Sequence, residues 1–250
     1  MNKKIISLYS TFIAIALVFM ACDKDKTLPD RDDPAAGKAR VRFYNASPNS
    51  KPVAFSVNGT KINAATGNAY YTAFPGEYFV ASPGSFNIKV FDTASVNPLQ
   101  YFEITQTVEA DKHYSVFAVD SFAKLKALFL EDKIVKPDTP MARMRFLNLM
   151  PNSTGVDVMI TKIDATTLAT PDTLFKNLPF LGVNDFRSLK AGSYDFKFNF
   201  RFGASGTGTI AAAATVLLSG AQYTTVLRGF GGATGTPLPT VTFSSYRPTY

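Results

Sequence analysis

The chain has 250 residues, 46% of them hydrophobic, with 22 Phe, 11 Tyr, no Trp and a single Cys. At roughly 100 to 200 residues per domain this is material for one or two cores, and the many aromatic strand formers, with no long Leu/Ala/Glu/Lys stretches beside them, exclude a helical bundle and point to an all-β protein. A formal charge of +7 without a Lys/Arg cluster interleaved with aromatics argues against a nucleic-acid partner.

The first residues read as an export signal: Lys3 and Lys4, the apolar run Ile5 to Phe19, then Met20-Ala21-Cys22. A lone cysteine in an exported chain is a stray thiol, half of an intermolecular bridge or a modified residue, and its position favours modification. "FMAC" resembles a bacterial lipobox, although Phe19 and Met20 depart from the usual Leu and small residue. That resemblance implies lipidation of Cys22 and loss of residues 1–21; the alternative is an uncleaved anchor, for which Ile5 to Ala21 only just reaches spanning length. Either way a membrane is the first partner, and several acyl chains hold more firmly than one. Without Lys3 and Lys4 the balance becomes 24 basic against 19 acidic side chains, a net of +5. Residues 22–38 continue as a charged, proline-containing stretch with too little apolar surface to repay ordering, a flexible tether on the order of 20 Å end to end.

From Ala39 the chain writes "ARVRFYNASPNS", and at Ala142, 103 residues later, "ARMRFLNLMPNS". Val41 and Phe43, or Met144 and Phe146, face one way and the arginines the other, the period of a half-buried strand; the Asn and Pro-Asn-Ser that follow are turn chemistry. Further predicted strands of the first copy are Val53 to Val57, ending at the hairpin dipeptide Asn58-Gly59, then Glu77 to Ala81, Gly84 to Phe91, Tyr101 to Val108 and Lys124 to Leu130. "KIVKPDTPM", Lys133 to Met141, marks a boundary. The second copy offers Val156 to Thr161, the cleanly alternating Tyr194, Phe196, Phe198 and Phe200, then Ile210 to Leu218 and Pro239 to Ser245. "GSFNIKVF" matches "GSYDFKFN", and "EADKHYSVFAV" matches "LSGAQYTTVLR" at an offset grown to 109, which places the insertions in loops. Seven or eight short strands per copy predict two β-sandwiches, 39–137 and 138–250. Tyr114 and Tyr223, each three residues after Asp111 or Gly220, are expected to bond back to the upstream backbone as tyrosine corners.

These paired phrases, with "VAFSVNG" or "VDVMITK" between them, resemble the DUF4397 domain, a family of bacterial secreted and surface proteins. The likeness covers nearly everything after the tether, once per half, and Bacteroidetes lipoproteins with two such domains are similar in plan. It implies tandem immunoglobulin-like sandwiches in the cell envelope, at the outer membrane and exposed on the surface. It supplies no catalytic residues.

The residues offer little chemistry of their own. His113 is the one histidine and is read as a surface or loop residue; with Cys22 lipidated, the usual zinc and Cys/His arrangements are gone, and no metal or cofactor is expected. Two carboxylates suffice for glycoside hydrolysis, so Asp92 with Glu103 and Asp157 with Asp195 keep a carbohydrate-active enzyme open as an alternative, beside a purely structural envelope component. Glycine-rich Phe202 to Thr209 and Gly229 to Gly235 lack a phosphate-loop signature and read as loops. "AYYTAFPGEYF", Ala69 to Phe79, packs five aromatics into eleven residues. Core packing explains most of them; the outward rings suit sugars or protein partners. The expected ligand contact is therefore Tyr70, Tyr71, Phe74 and Tyr78, with Lys61 or Lys89 nearby, and the expected protein is non-enzymatic and binds a surface glycan or envelope protein.

Overall fold

In the computed structural model the described residues are 36–62, 78–93, 98–135, 137–163, 171–233 and 238–246. The export signal, Cys22 and most of the tether lie outside them, as do Tyr70, Tyr71 and Phe74. Gly37 to Tyr250 forms one compact unit.

The first copy folds into β1 (Ala39–Asn45), β2 (Ala54–Val57), β3 (Thr60–Lys61), β4 (Phe79–Ala81), β5 (Gly84–Phe91), β6 (Gln100–Val108), β7 (His113–Val119) and β8 (Lys126–Glu131). The second repeats the series as β9 (Met141–Asn148), β10 (Ser153–Lys162), β11 (Asp172–Leu178), β12 (Arg187–Lys190), β13 (Gly192–Phe202), β14 (Gly206–Leu217), β15 (Gln222–Arg228) and β16 (Thr240–Tyr246). Sheets β4-β1-β7-β8 and β3-β2-β5-β6 recur as β12-β9-β15-β16 and β11-β10-β13-β14. Every strand of one copy thus has its counterpart eight strands on, with the same neighbours. The all-β class and the tandem sandwiches are as expected. The strand order differs from that of an immunoglobulin constant domain, which puts strands one, two, four and five in one sheet: here the first strand runs parallel to the seventh and their copies do likewise.

Local chemistry explains the elements. Asn58 and Gly59 both take positive φ, 48° and 83°, so the β2–β3 connection is the predicted two-residue hairpin turn. The repeated glycines that open β5 and β13, Gly84 and Gly192, sit at φ 135° and 151°, where a side chain would be strained. The aromatic alternation of β13 buries Tyr194, Phe196, Phe198 and Phe200. Lys124 does not begin a strand as predicted, because Phe122–Lys124 closes a single 3-10 turn. Two strands of the second copy, β11 and β12, carry no period-two pattern and were not predicted.

Val41, Phe55, Ile88 and Val116 lie at the centre of the first core and Phe146, Val158, Phe196 and Phe198 at that of the second. A third cluster holds Tyr44, Ala46, Phe117 and Val119 of the first copy against Leu147, Leu149 and Val226 of the second. The sheets bearing β1 and β9 therefore pack back to back, and the unit that begins at Gly37 is four sheets deep. This corrects the half-buried reading of the repeated strand: Arg42 and Arg145 are 4% and 3% exposed, because the other copy covers the face on which they lie.

Candidate functional site

The repeated phrase builds two things in each copy. At the turn, Asn45 Nδ2 donates to Ser50 Oγ (2.8 Å) and its Oδ1 accepts the Ser47 N–H (3.1 Å); Asn148 does the same with Ser153 (2.9 Å) and the Met150 N–H (3.1 Å). Asn49 accepts the Phe122 N–H, and Asn152 accepts that of Gly231, tying each turn to the loop after the seventh or fifteenth strand. At the seam, Arg42 Nε donates across to Ser115 Oγ (2.8 Å) and Arg145 Nε to Thr224 Oγ1 (3.0 Å), the same cross-strand bond twice. Each guanidinium then reaches into the opposite sandwich, Arg42 to Ser244 Oγ (3.2 Å) and Arg145 to the Glu131 carbonyl (3.0 Å). Reciprocal contacts of this kind are those of a two-fold interface.

One acid breaks the symmetry. Asp132, 1% exposed, accepts Ser115 Oγ, contacts the Arg145 guanidinium and lies 3.6 Å from Arg42 Nε. Asp132 lies one residue past β8, and its counterpart by register in the second copy is Tyr246, the last residue of β16. Burial pushes the Arg145 guanidinium below its usual range, with Asp132 opposing that shift.

Tyr78 belongs to this seam. Its ring lies under the Arg42 guanidinium at 4.8 Å and its hydroxyl donates to Asp132 Oδ2 at 2.8 Å. Burial first, and the Asp132 charge second, push the phenol well above the ordinary tyrosine range. Phe186, the equivalent residue by strand register, stacks on Arg145 at 4.9 Å. Tyr78, named above as a ligand contact, thus sits at the seam: its ring does what Phe186 does in the other copy, and its hydroxyl donates to Asp132. Of the other three aromatics named for that role, none falls within the described residues.

The two lysines do come together. Ser56 pairs with Lys61 on one side and with Lys89 on the other, and Lys89 pairs with Glu103, so Lys61, Ser56, Lys89 and Glu103 form one row on the outer face of the first sandwich. Ser56, Lys61 and Lys89 line a cavity of about 290 Å³, together with Phe91, Asp92 and Pro98. Ser56 is 5% exposed, and its Oγ has no hydrogen-bond partner among the described residues. The corresponding row of the second sandwich reads Thr173, Met159, Lys197 and Ala211. Sequence reasoning named both lysines and missed Ser56, whose burial on an outward position leaves no mark in the pattern.

Comparison with known proteins places the whole arrangement. The model of the domain of unknown function DUF4397 matches residues 39–159 and again 144–246. The chain belongs to the DUF4397 family. No curated protein matches it. Among solved structures, a leucine-rich repeat protein from Bacteroides thetaiotaomicron VPI-5482 aligns at 12% identity and TM-score 0.23, over 76% of this chain and 25% of that one. The chain thus spans about a quarter of that protein's length. CBMbc (family CBM26) from Eubacterium rectale Amy13K, solved with maltoheptaose, aligns at 14% identity and TM-score 0.24, over 85% and 98%.

Within this DUF4397 pair the remaining predicted groups have structural partners. His113 is not a loop residue: it opens β7 at the seam, edge-on to the rings of Tyr78 (5.0 Å) and Tyr246 (5.5 Å). Glu103 is held below the usual carboxylate range, chiefly by the Asn87 amide at 2.6 Å, with Lys89 also lowering it. Asp157 is lowered by Arg201 at 2.8 Å and also by the Asn177 N–H. Asp195 accepts the Ala214 N–H (2.9 Å). Asp92 accepts that of Leu99 (3.1 Å). Among the described residues no three His, Cys, Asp or Glu converge as a metal site would require.

Proposed function

We propose that this DUF4397 protein is a non-enzymatic, lipid-anchored component of the cell envelope that holds a rigid double sandwich away from an outer membrane and binds a ligand through the outer sheet of its first sandwich. The observation that carries the reading is the cavity over Lys61, Ser56 and Lys89, open to the outside while the opposite face is closed by the second copy. Ligand sites are concave and mix apolar lining with a few placed polar groups, and this one combines Phe91 and Pro98 with two ammoniums, a carboxylate and a hydroxyl. Tyr70, Tyr71 and Phe74, in the segment following Lys61, remain the aromatic contacts we assign to the ligand. The sequence around Cys22 supports the anchor and the charged tether supports the spacing.

Carboxylates held low serve poorly as the general acid of glycoside hydrolysis, which needs a raised pKa; Glu103 and Asp157 are both held low. A glycan and envelope-protein array screened with the intact chain, and repeated with Tyr70→Ala, Tyr71→Ala and Phe91→Ala, tests the site. Binding lost in these variants supports it. Binding that survives all three rejects it, and hydrolysis of an arrayed sugar replaces it with the enzyme reading. Palmitate labelling that vanishes in Cys22→Ser supports the anchor, and unchanged labelling removes it.

A further inference from the structure

We infer that the first sandwich's cavity selects an acidic sugar, a pyranose bearing a carboxylate, and that its recognition is written in the single cross-strand row Lys61–Ser56–Lys89. This rests on the reading that the cavity is the binding site. Adjacent strands are about 4.8 Å apart, so the two lysines stand one strand to either side of Ser56, with backbones about 10 Å from each other. Two flexible ammoniums across that span can close on one carboxylate and strengthen its hydrogen bonds by their charge.

Lys89 is partly engaged by Glu103 at 3.4 Å, which leaves Lys61 as the cation facing the cavity from the β3 side. Between them lies the Ser56 hydroxyl, buried and without a hydrogen-bond partner among the described residues. A ligand oxygen over the row satisfies it once the side chain turns toward the cavity that it lines. A simple anion would leave the rest of the lining unused: Phe91 and Pro98 offer an apolar wall suited to the C–H face of a sugar ring, and Asp92, which accepts the Leu99 N–H through Oδ1, places a carboxylate at the rim where ring hydroxyls would lie. A volume of about 290 Å³ holds one such ring rather than an extended chain buried end to end.

The second sandwich provides the internal control. It keeps Lys197 where the first has Lys89, but Met159 replaces Ser56 and Thr173 replaces Lys61. It has one cation in the row and no hydroxyl at its centre, so a carboxylate has nothing to bridge.

The test is titration calorimetry on the intact chain in a neutral detergent, with trigalacturonate, the matching neutral galactose trimer and acetate as probes. We expect trigalacturonate to bind at least about tenfold more tightly than the neutral trimer or acetate, which corresponds to about 1.4 kcal/mol. Lys61→Ala and Lys89→Gln should each erase most of that preference, Ser56→Ala should weaken binding several-fold, and Lys197→Ala should change nothing. Equal binding of the acidic and neutral trimers, lost together in Phe91→Ala, overturns the acidic preference while leaving the site itself in place. Acetate bound as tightly as the trimer overturns the sugar assignment. Trigalacturonate binding unchanged in Lys61→Ala and Lys89→Gln, or absent altogether, overturns the inference; the array decides separately whether the site binds anything else.

Discussion

The two copies are alike where they touch and unlike where they face outward. At the seam, Arg42 with Ser115 repeats as Arg145 with Thr224, and the Tyr78 ring repeats as Phe186, down to the cross-strand register. On the outer sheets, Lys61–Ser56–Lys89 becomes Thr173–Met159–Lys197. The difference teaches why a chain would write one phrase twice: the phrase encodes the face by which each copy meets the other, together with the turn that leaves it, and says nothing about the face that meets a ligand.

The largest effect should come from Asp132, the buried seam acid that the second copy replaces with Tyr246. Asp132→Asn removes the charge that Arg42 and Arg145 share in a buried site, and denaturant titration should show a loss of about 3–5 kcal/mol. Asp157→Asn, which breaks the Arg201 pair on the outer sheet, should cost no more than about 1 kcal/mol; equal losses would erase the distinction between the faces.

The turn tests the likeness itself. Asn45→Ala and Asn148→Ala each leave a serine hydroxyl and a backbone N–H without their partner, so each should cost about 1–3 kcal/mol. Asn148 Nδ2 also donates to the Leu178 carbonyl at 3.0 Å, where Asn45 Nδ2 reaches the Lys51 carbonyl only at 3.4 Å, so Asn148→Ala should cost the more of the two, and the losses should add in the double variant.

How far this was legible in the sequence depends on which face a residue occupies. Core-facing positions announced themselves: β13 was predicted from its aromatics, and β5 from its likeness to it. The unpredicted β11 is bulged against β10, with Asn177 at φ 50°, so its buried residues fall at Leu174, Phe175 and Leu178 rather than at alternate positions. The seam was hidden for a different reason. An arginine alternating with Val41 and Phe43 looks the same whether water or a second sheet lies beyond it, and only burial separates the cases. The place of Tyr78 was hidden in the same way, since an aromatic run does not tell which of its rings a second sandwich will cover.

Titration of the seam gives a further measure. The Tyr78 phenol keeps its proton in the folded protein at pH values where the unfolded chain, near the ordinary tyrosine pKa of about 10, has lost it. Above about pH 10 the unfolded state is therefore favoured, and stability should fall by about 1.4 kcal/mol per pH unit for this group. Tyr78→Phe, which copies Phe186, should remove a loss that totals about 1.4 kcal/mol between pH 9 and 11 and steepens above pH 10, read from denaturation curves across that range.

The tyrosine corners make a smaller, symmetric pair. The Tyr114 and Tyr223 hydroxyls accept the Glu109 and Leu218 N–H groups at 3.1 and 2.8 Å, each after a positive-φ residue, Asp111 or Gly220. The expected bond back to the upstream backbone is present in both copies with the backbone as donor, and Tyr223 also donates its own hydroxyl to the Val216 carbonyl at 3.3 Å. Phenylalanine at either site should cost about 1 kcal/mol, measured by thermal melts; no change at both would show that the corner contributes nothing.

The claim that the copies are joined through their repeated faces into a single body is tested most directly by scanning calorimetry of the intact chain. A seam built from a buried apolar cluster and a shared Asp132 should make both sandwiches unfold together, in one transition whose calorimetric and van't Hoff enthalpies agree. Two resolved transitions, each with about half the total enthalpy, would show that the sandwiches unfold independently and would contradict the account.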